Sequence, residues 1–249
     1  MNKIKSYRIL SIIMLLIVLI DSGLCIFSIH VTKREVANME QIVNNNILEN
    51  ECLSEFEKAS EYLSTQAREF IRTYKPIYME KYFEELDGVK RREAALQKFE
   101  EAGTVDIEKR LMRDAMEKSN ELAETEIHAM AIVAKLIGYD ENNLPQQIKD
   151  YEFSNIENAS DVGTLKTIAR NILYGNSYES KRKEVVSYIN RAEDLIKLYT
   201  NQESEDAVKN TNNAITMLNT YIIILLVVVG LLFGLVLMGD RLPMAPKEK

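Results

Sequence analysis

"LSEFEKASEYLSTQAREFIRTYKP", from Leu53 to Pro76, decides what kind of fold the chain takes. Leu53, Phe56, Ser60, Leu63, Ala67, Phe70 and Tyr74 follow one another at alternating steps of three and four. That spacing puts all of them on one face of an α-helix, as a heptad seam packed against neighbours. The helix is predicted to stop near Lys75, because Pro76 has no N–H to donate and pushes the preceding residue out of helical geometry.

The same period continues downstream, with few glycines or prolines and no alternating run of β-branched residues. A second helix is predicted from Ile77 to Ala102, with Tyr82, Leu86, Val89 and Leu96 on one face and Gly103 as its stop. A third, Val105 to Ile137, repeats the heptad with Met112, Ala115, Ser119, Leu122, Glu126, Ala129, Val133 and Leu136, and ends at Gly138. Asn, Asp and turn residues crowd the stretch Tyr139 to Asp161, which reads as a loop or cap. A short helix, Val162 to Leu173, precedes Gly175. A last helix starts near Ser177 and carries Val185, Tyr188, Ala192, Leu195 and Tyr199 inward.

Two stretches depart from this amphipathic texture. Ile9 to Ile29 holds a single charge, Asp21, and Tyr221 to Met238 holds none. Both approach the ~20 apolar residues that a helix needs to cross a bilayer. They are read as two transmembrane helices, residues 9–29 and 221–238. A cleaved signal peptide is the competing reading of the first, since "MNKIKSYR" is basic. Its apolar run exceeds the usual ~7–15 residues, however, and no small-x-small site follows.

Lys3, Lys5 and Arg8 precede the first stretch, and Arg241, Lys247 and Lys249 follow the second. By the positive-inside rule both termini, 1–8 and 239–249, face the cytoplasm and residues 30–220 are exported from a two-pass cell-membrane protein. From His30 to Thr220 there are 25 Lys and Arg against 35 Asp and Glu, a net charge of −10. Such a surface repels phosphate backbones and excludes nucleic acid as a partner. Cys25 lies in an apolar stretch and Cys52 is alone in the exported region, so no intrachain disulfide holds that domain.

Helix lengths imply the architecture. At ~1.5 Å per residue a first helix from Val31 to Lys75 rises about 65 Å and the second returns about 40 Å. The expected fold is all-α: an up-down-up-down four-helix bundle, carried on a polar helical stalk that contains "VNNN" (43 to 46) and "KNTNNA" (209 to 214).

This plan, and the segments "EKASEYLSTQAREFIRTYKPIYMEKYFEEL" (57 to 86) and "SNELAETEIHAMAIVAKLIGYDENNLP" (119 to 145), resemble the extracytoplasmic sensor region of bacterial receptors. The likeness is to the N-terminal sensor type of hybrid sensor histidine kinases and diguanylate cyclases, over roughly Leu53 to Tyr199. The resemblance implies a signal-transduction sensor module, the sensory half of a kinase or cyclase lacking its output domain, or a sensor acting on a separate kinase or cyclase chain. It also implies a homodimer paired along the first helices, for which Cys52 is a natural crosslinking probe. A structural or partner-binding helical membrane protein with no small-molecule ligand is the alternative.

No residue pattern suggests catalysis, a metal site or a cofactor, since His30 and His128 are isolated from other ligand types at helical spacing. Three features stand out. Glu126 interrupts an apolar seam, either at a wet position or in a salt bridge. Asp21 sits in an apolar stretch, snorkelling at its outer end or meeting a partner helix. Arg68, Arg72 and Lys75, at i, i+4 and i+7, form an expected basic stripe offset from the seam, with only Glu69 in helical reach. The stripe is the candidate site for a small anionic ligand, the alternatives being a solvated face or pairing with a partner's acids.

Overall fold

The computed structural model describes residues 2–102 and 104–240, with side chains for 9–102, 104–140 and 142–237. The expected stop at Gly103 and the basic residues of 241–249 lie outside them. The described residues are all-helical, 91% of them in helix, and hold no strand. Its α-helices are α1 (Asn2–Thr73), α2 (Pro76–Phe83), α3 (Arg91–Glu101), α4 (Asp106–Leu136), α5 (Gln146–Lys149), α6 (Asn155–Ala159), α7 (Val162–Tyr174) and α8 (Asn176–Asp240).

The chain divides into two compact units, residues 44–200 and residues 1–43 with 201–249. In the latter, α1 and α8 each contain a stretch long and apolar enough to cross a membrane. These stretches are not cores in waiting: only 11% of one window and none of the other is buried. Asp21 and Ser28 are among the few buried polar groups there, and Asp21 Oδ2 has no hydrogen-bond partner. Asp21 therefore does not snorkel outward.

In the unit 44–200 the α1 seam packs as its spacing predicts. Leu53, Phe56, Ser60, Leu63, Ala67 and Phe70 are buried and Tyr74 is half-buried. The helix stops where Tyr74 turns left-handed (φ 58°), and Pro76 opens α2. On α4 every seam position from Met112 to Val133 is buried, Glu126 included, and Gly138 takes the left-handed cap (φ 60°). Gly175, between α7 and α8, is required for another reason: a Cβ there would meet the Asn171 carbonyl oxygen at 2.4 Å.

The predicted second helix is two. After α2 the chain widens into a π-helical turn, Glu84–Val89, and Lys90 turns left-handed (φ 57°). The break rotates α3, so Val89 is exposed, Leu86 and Leu96 are only half-buried, and Arg92, Ala95 and Phe99 are buried instead. Lys90 offers no side-chain cap, and Glu85 substitutes for one. Its carboxylate accepts from the Arg91 backbone N–H at 3.2 Å and from Arg91 Nε at 2.8 Å. The segment 139–161 is also less irregular than expected, holding a 3-10 turn (Glu141–Asn143), α5 and α6. Ser154 and Glu157 form a capping box at the start of α6.

The core is two apolar clusters separated by a polar layer. One gathers Leu63, Phe70, Met79, Met130, Leu165 and Leu173, among others. The other gathers Phe56, Phe99, Met112, Val185 and Ile189. Along both α1 and α4 the boundary falls at a serine: Ser60 and Ser119 share a hydrogen bond of 3.1 Å, and Ser119 Oγ accepts from the buried Arg92 Nη1 at 2.7 Å.

Candidate functional site

Burying a carboxylate in an apolar seam is costly unless its oxygens are bonded. Glu126, 1% exposed, is bonded by hydroxyls from three other helices. Ser64 of α1 and Tyr178 of α8 each donate to Oε1 at 2.6 Å, and Tyr82 of α2 donates to Oε2 at 2.9 Å. The interruption in the seam is therefore neither wet nor a salt bridge but a carboxyl in a cage of hydroxyls. Burial raises the Glu126 pKa despite these three donors and the nearby Arg92 guanidinium. Burial, and then the neighbouring carboxylate, push the Tyr82 and Tyr178 phenols well above their ordinary range. Such a group can hold a proton and fasten helices together. At 1% exposure it does not meet a substrate.

One turn further along α1, Arg68 leans inward. Its guanidinium pairs with Glu179 and lies over the rings of Tyr178, at 4.9 Å, and Tyr174, at 5.5 Å. Its Nε is buried without a hydrogen-bond partner.

The expected stripe of Arg68, Arg72 and Lys75 thus does not exist as one surface. Arg68 belongs to the α8 contact. Arg72 is outward, its side chain 63% exposed, and bonds Glu69 at 2.5 Å through Nη2. Lys75 is exposed beyond the left-handed Tyr74 and outside α1, so the helical phase that aligned the three ends before reaching it.

His128 bonds Glu157 on α6 (Nε2 to Oε1, 2.5 Å) and stacks on Tyr151 with centroids 4.8 Å apart. This fastens the 139–161 segment to α4. Burial alone would raise the Glu157 pKa, but hydrogen bonds from His128 and Ser154 outweigh it and hold the carboxyl below its ordinary value. Among the described residues no three His, Cys, Asp or Glu side chains gather into a metal site.

Sequence reasoning singled out Glu126 but none of its partners, and it missed Arg92, Glu157 and Glu179. The signal available was the serine at matching depth in both seams, Ser60 and Ser119. Two polar residues at apolar positions imply a polar partner between them. Comparison with protein-family models, with curated proteins and with solved structures finds no match.

Proposed function

We propose that the chain is a membrane-anchored extracytoplasmic sensor module of bacterial signal transduction. Its domain is an up-down-up-down four-helix bundle formed by α1, α2 with α3, α4, and α7 leading into α8. It is held in the bilayer by residues 9–29 and 221–238 with both termini cytoplasmic. It works as a homodimer and passes its signal to a histidine kinase or diguanylate cyclase activity. It performs no catalysis itself.

The observation that carries this reading is continuity. α1 and α8 each contain, in one unbroken helix, both a membrane-length apolar stretch and part of the domain's core. The Glu126 cage bonds to both of these helices, through Ser64 and Tyr178. A change in how the domain packs is thereby a change in two helices that enter the apolar stretches, which is what a transmembrane sensor requires.

Reporter fusions test the topology: alkaline phosphatase joined near residue 103 is active and joined after residue 249 is inactive. The reverse pattern would overturn the reading. A chimera joining residues 1–240 to a histidine kinase output tests the signalling half. Kinase activity identical in the parent and in Glu126→Gln and Tyr178→Phe chimeras would leave a structural helical membrane protein as the better description.

A further inference from the structure

Lys166 and Arg170 stand one turn apart on α7, exposed along one edge of the face that buries Leu165, Ala169 and Leu173. Neither has an ion-pair partner among the described residues. Together with Arg72 at the end of α1 they line a groove of about 930 Å³, whose walls include Tyr74 and Tyr174. That volume lies within the roughly 300–1,000 Å³ of small-molecule clefts. No Asp or Glu lines the groove, although acids outnumber bases 35 to 25 between His30 and Thr220. Among the described residues the carboxylate bonded to a lining cation is Glu69, on Arg72, whose side chain is still 63% exposed. Three positive charges therefore converge on one concavity of an acidic domain with a single acid offsetting them.

Tyr74 supplies a second, independent observation. It closes α1 by donating its N–H to the Phe70 carbonyl at 2.8 Å, in a left-handed conformation at φ 58°. Glycine or asparagine ends a helix this way without strain, whereas a bulky side chain resists it. A tyrosine held there places a ring in the groove wall that a plain helix stop would not need. The ammonium of Lys166 lies 5.6 Å from the centre of that ring. Tyr174, which also lines the groove, is held by the Arg68 guanidinium over its ring and by its hydroxyl on the Arg68 carbonyl, at 3.5 Å. Both rings are set before any ligand arrives.

The geometry points to an anion-binding site in this groove. Its ligand is a small organic carboxylate or phosphate, with the charged group held by Arg72, Lys166 and Arg170 and the organic part against Tyr74 and Tyr174. This gives the proposed sensor its ligand class and rests on that reading only for its purpose. It also moves the anion site off the stripe that helical spacing suggested: Arg72 stays, Arg68 and Lys75 leave, and α7 contributes two cations.

The test is calorimetric titration of the full chain in nanodiscs with benzoate, citrate, phenyl phosphate and inorganic phosphate, with neutral benzamide as control. At least one organic anion binds, and benzamide does not. Lys166→Gln with Arg170→Gln weakens that binding about tenfold or more. Arg110→Gln with Lys183→Gln, which removes the same charge from exposed positions elsewhere, changes it less than about twofold. Tyr74→Gly relieves the backbone rather than straining it, and it weakens phenyl phosphate while sparing inorganic phosphate. Absence of binding by all the anions overturns the proposal. So does binding that both double variants weaken alike, or phenyl phosphate that binds no better than inorganic phosphate. The sensor reading fails separately: a domain that fusions place in the cytoplasm sinks it even if the groove binds, and an exported domain with no bound anion sinks the groove alone.

Discussion

Tyr178, at the start of α8, donates its hydroxyl hydrogen to Oε1 of Glu126 on α4 at 2.6 Å, inside the core. This bond connects the helix that leads to the second apolar stretch with a carboxyl buried from water.

Its pH dependence follows from the raised pKa of Glu126. An acid whose folded pKa lies above its unfolded value binds more protons when folded in the window between the two. Its contribution to stability is then fully present below the unfolded value, ordinarily ~4.3, and is lost as pH rises through the folded one. Urea unfolding of the parent and of Glu126→Gln across pH 4–8 should show the parent losing stability relative to the variant as pH rises. A pH-independent difference would mean that Glu126 titrates normally. Glu126→Ala, which leaves three buried hydroxyls without their acceptor, is expected to cost roughly 3–5 kcal/mol.

Arg68 and Arg72, one turn apart, should behave differently. Arg68→Ala removes an ion pair with Glu179 and two ring contacts, for an expected loss of about 1–2 kcal/mol. Arg72→Ala removes an exposed i,i+3 pair with Glu69 and is expected to leave the denaturant midpoint nearly unchanged. Denaturant midpoints of the two variants decide between this asymmetry and the equal effects of a uniform surface stripe.

Cys52 is a poor probe of pairing between chains, because it is 3% exposed and packs in the core cluster with Phe56 and Phe99. Burial raises its thiol pKa, which suppresses the thiolate further. Maleimide labelling should be slow in the native chain and fast in denaturant. Lys58 and Thr65 are exposed two turns apart on α1. If first helices pair in a homodimer, Lys58→Cys and Thr65→Cys crosslink in membranes and Cys52 does not. Crosslinking through Cys52 alone would contradict the packing described here.

Gly175→Ala places a methyl group 2.4 Å from the Asn171 carbonyl oxygen, which is backbone and cannot swing aside. The link between α7 and α8 must shift, at an expected cost of about 1–3 kcal/mol. Gly88→Ala, with open space around it, is expected to change stability by less than ~1 kcal/mol. Thermal unfolding midpoints of the pair check the contrast.

The parts of the fold legible in the sequence are those set by local periodicity. The α1 and α4 seams, the Pro76 break and the Gly138 cap follow from spacing and from two residues with special backbone chemistry. The break between α2 and α3 was not legible, because the left-handed residue is Lys90 and Gly88, two positions earlier, is not. Once the phase slipped there, Val89 left the core and Arg92 entered it. The candidate site was half legible: a carboxylate at an apolar position announces itself, whereas its partners arrive from three other helices at sequence separations of 62, 44 and 52 residues. Arg68 shows the converse. Helical phase placed it on an outward stripe, but the Tyr174 ring at the end of α7 and the Tyr178 ring and Glu179 carboxylate at the start of α8 draw its long side chain inward.

The serine and arginine layer between the two apolar clusters has a mechanical consequence. Leucine and alanine faces tolerate sliding, because one turn of travel replaces each apolar contact with another. A one-turn slip of α1 along α4, about 5.4 Å, would instead carry Ser60 and Ser64 away from Ser119 and Glu126, breaking the two buried hydrogen bonds that join these helices. The layer acts as a detent against axial travel of α1 along α4.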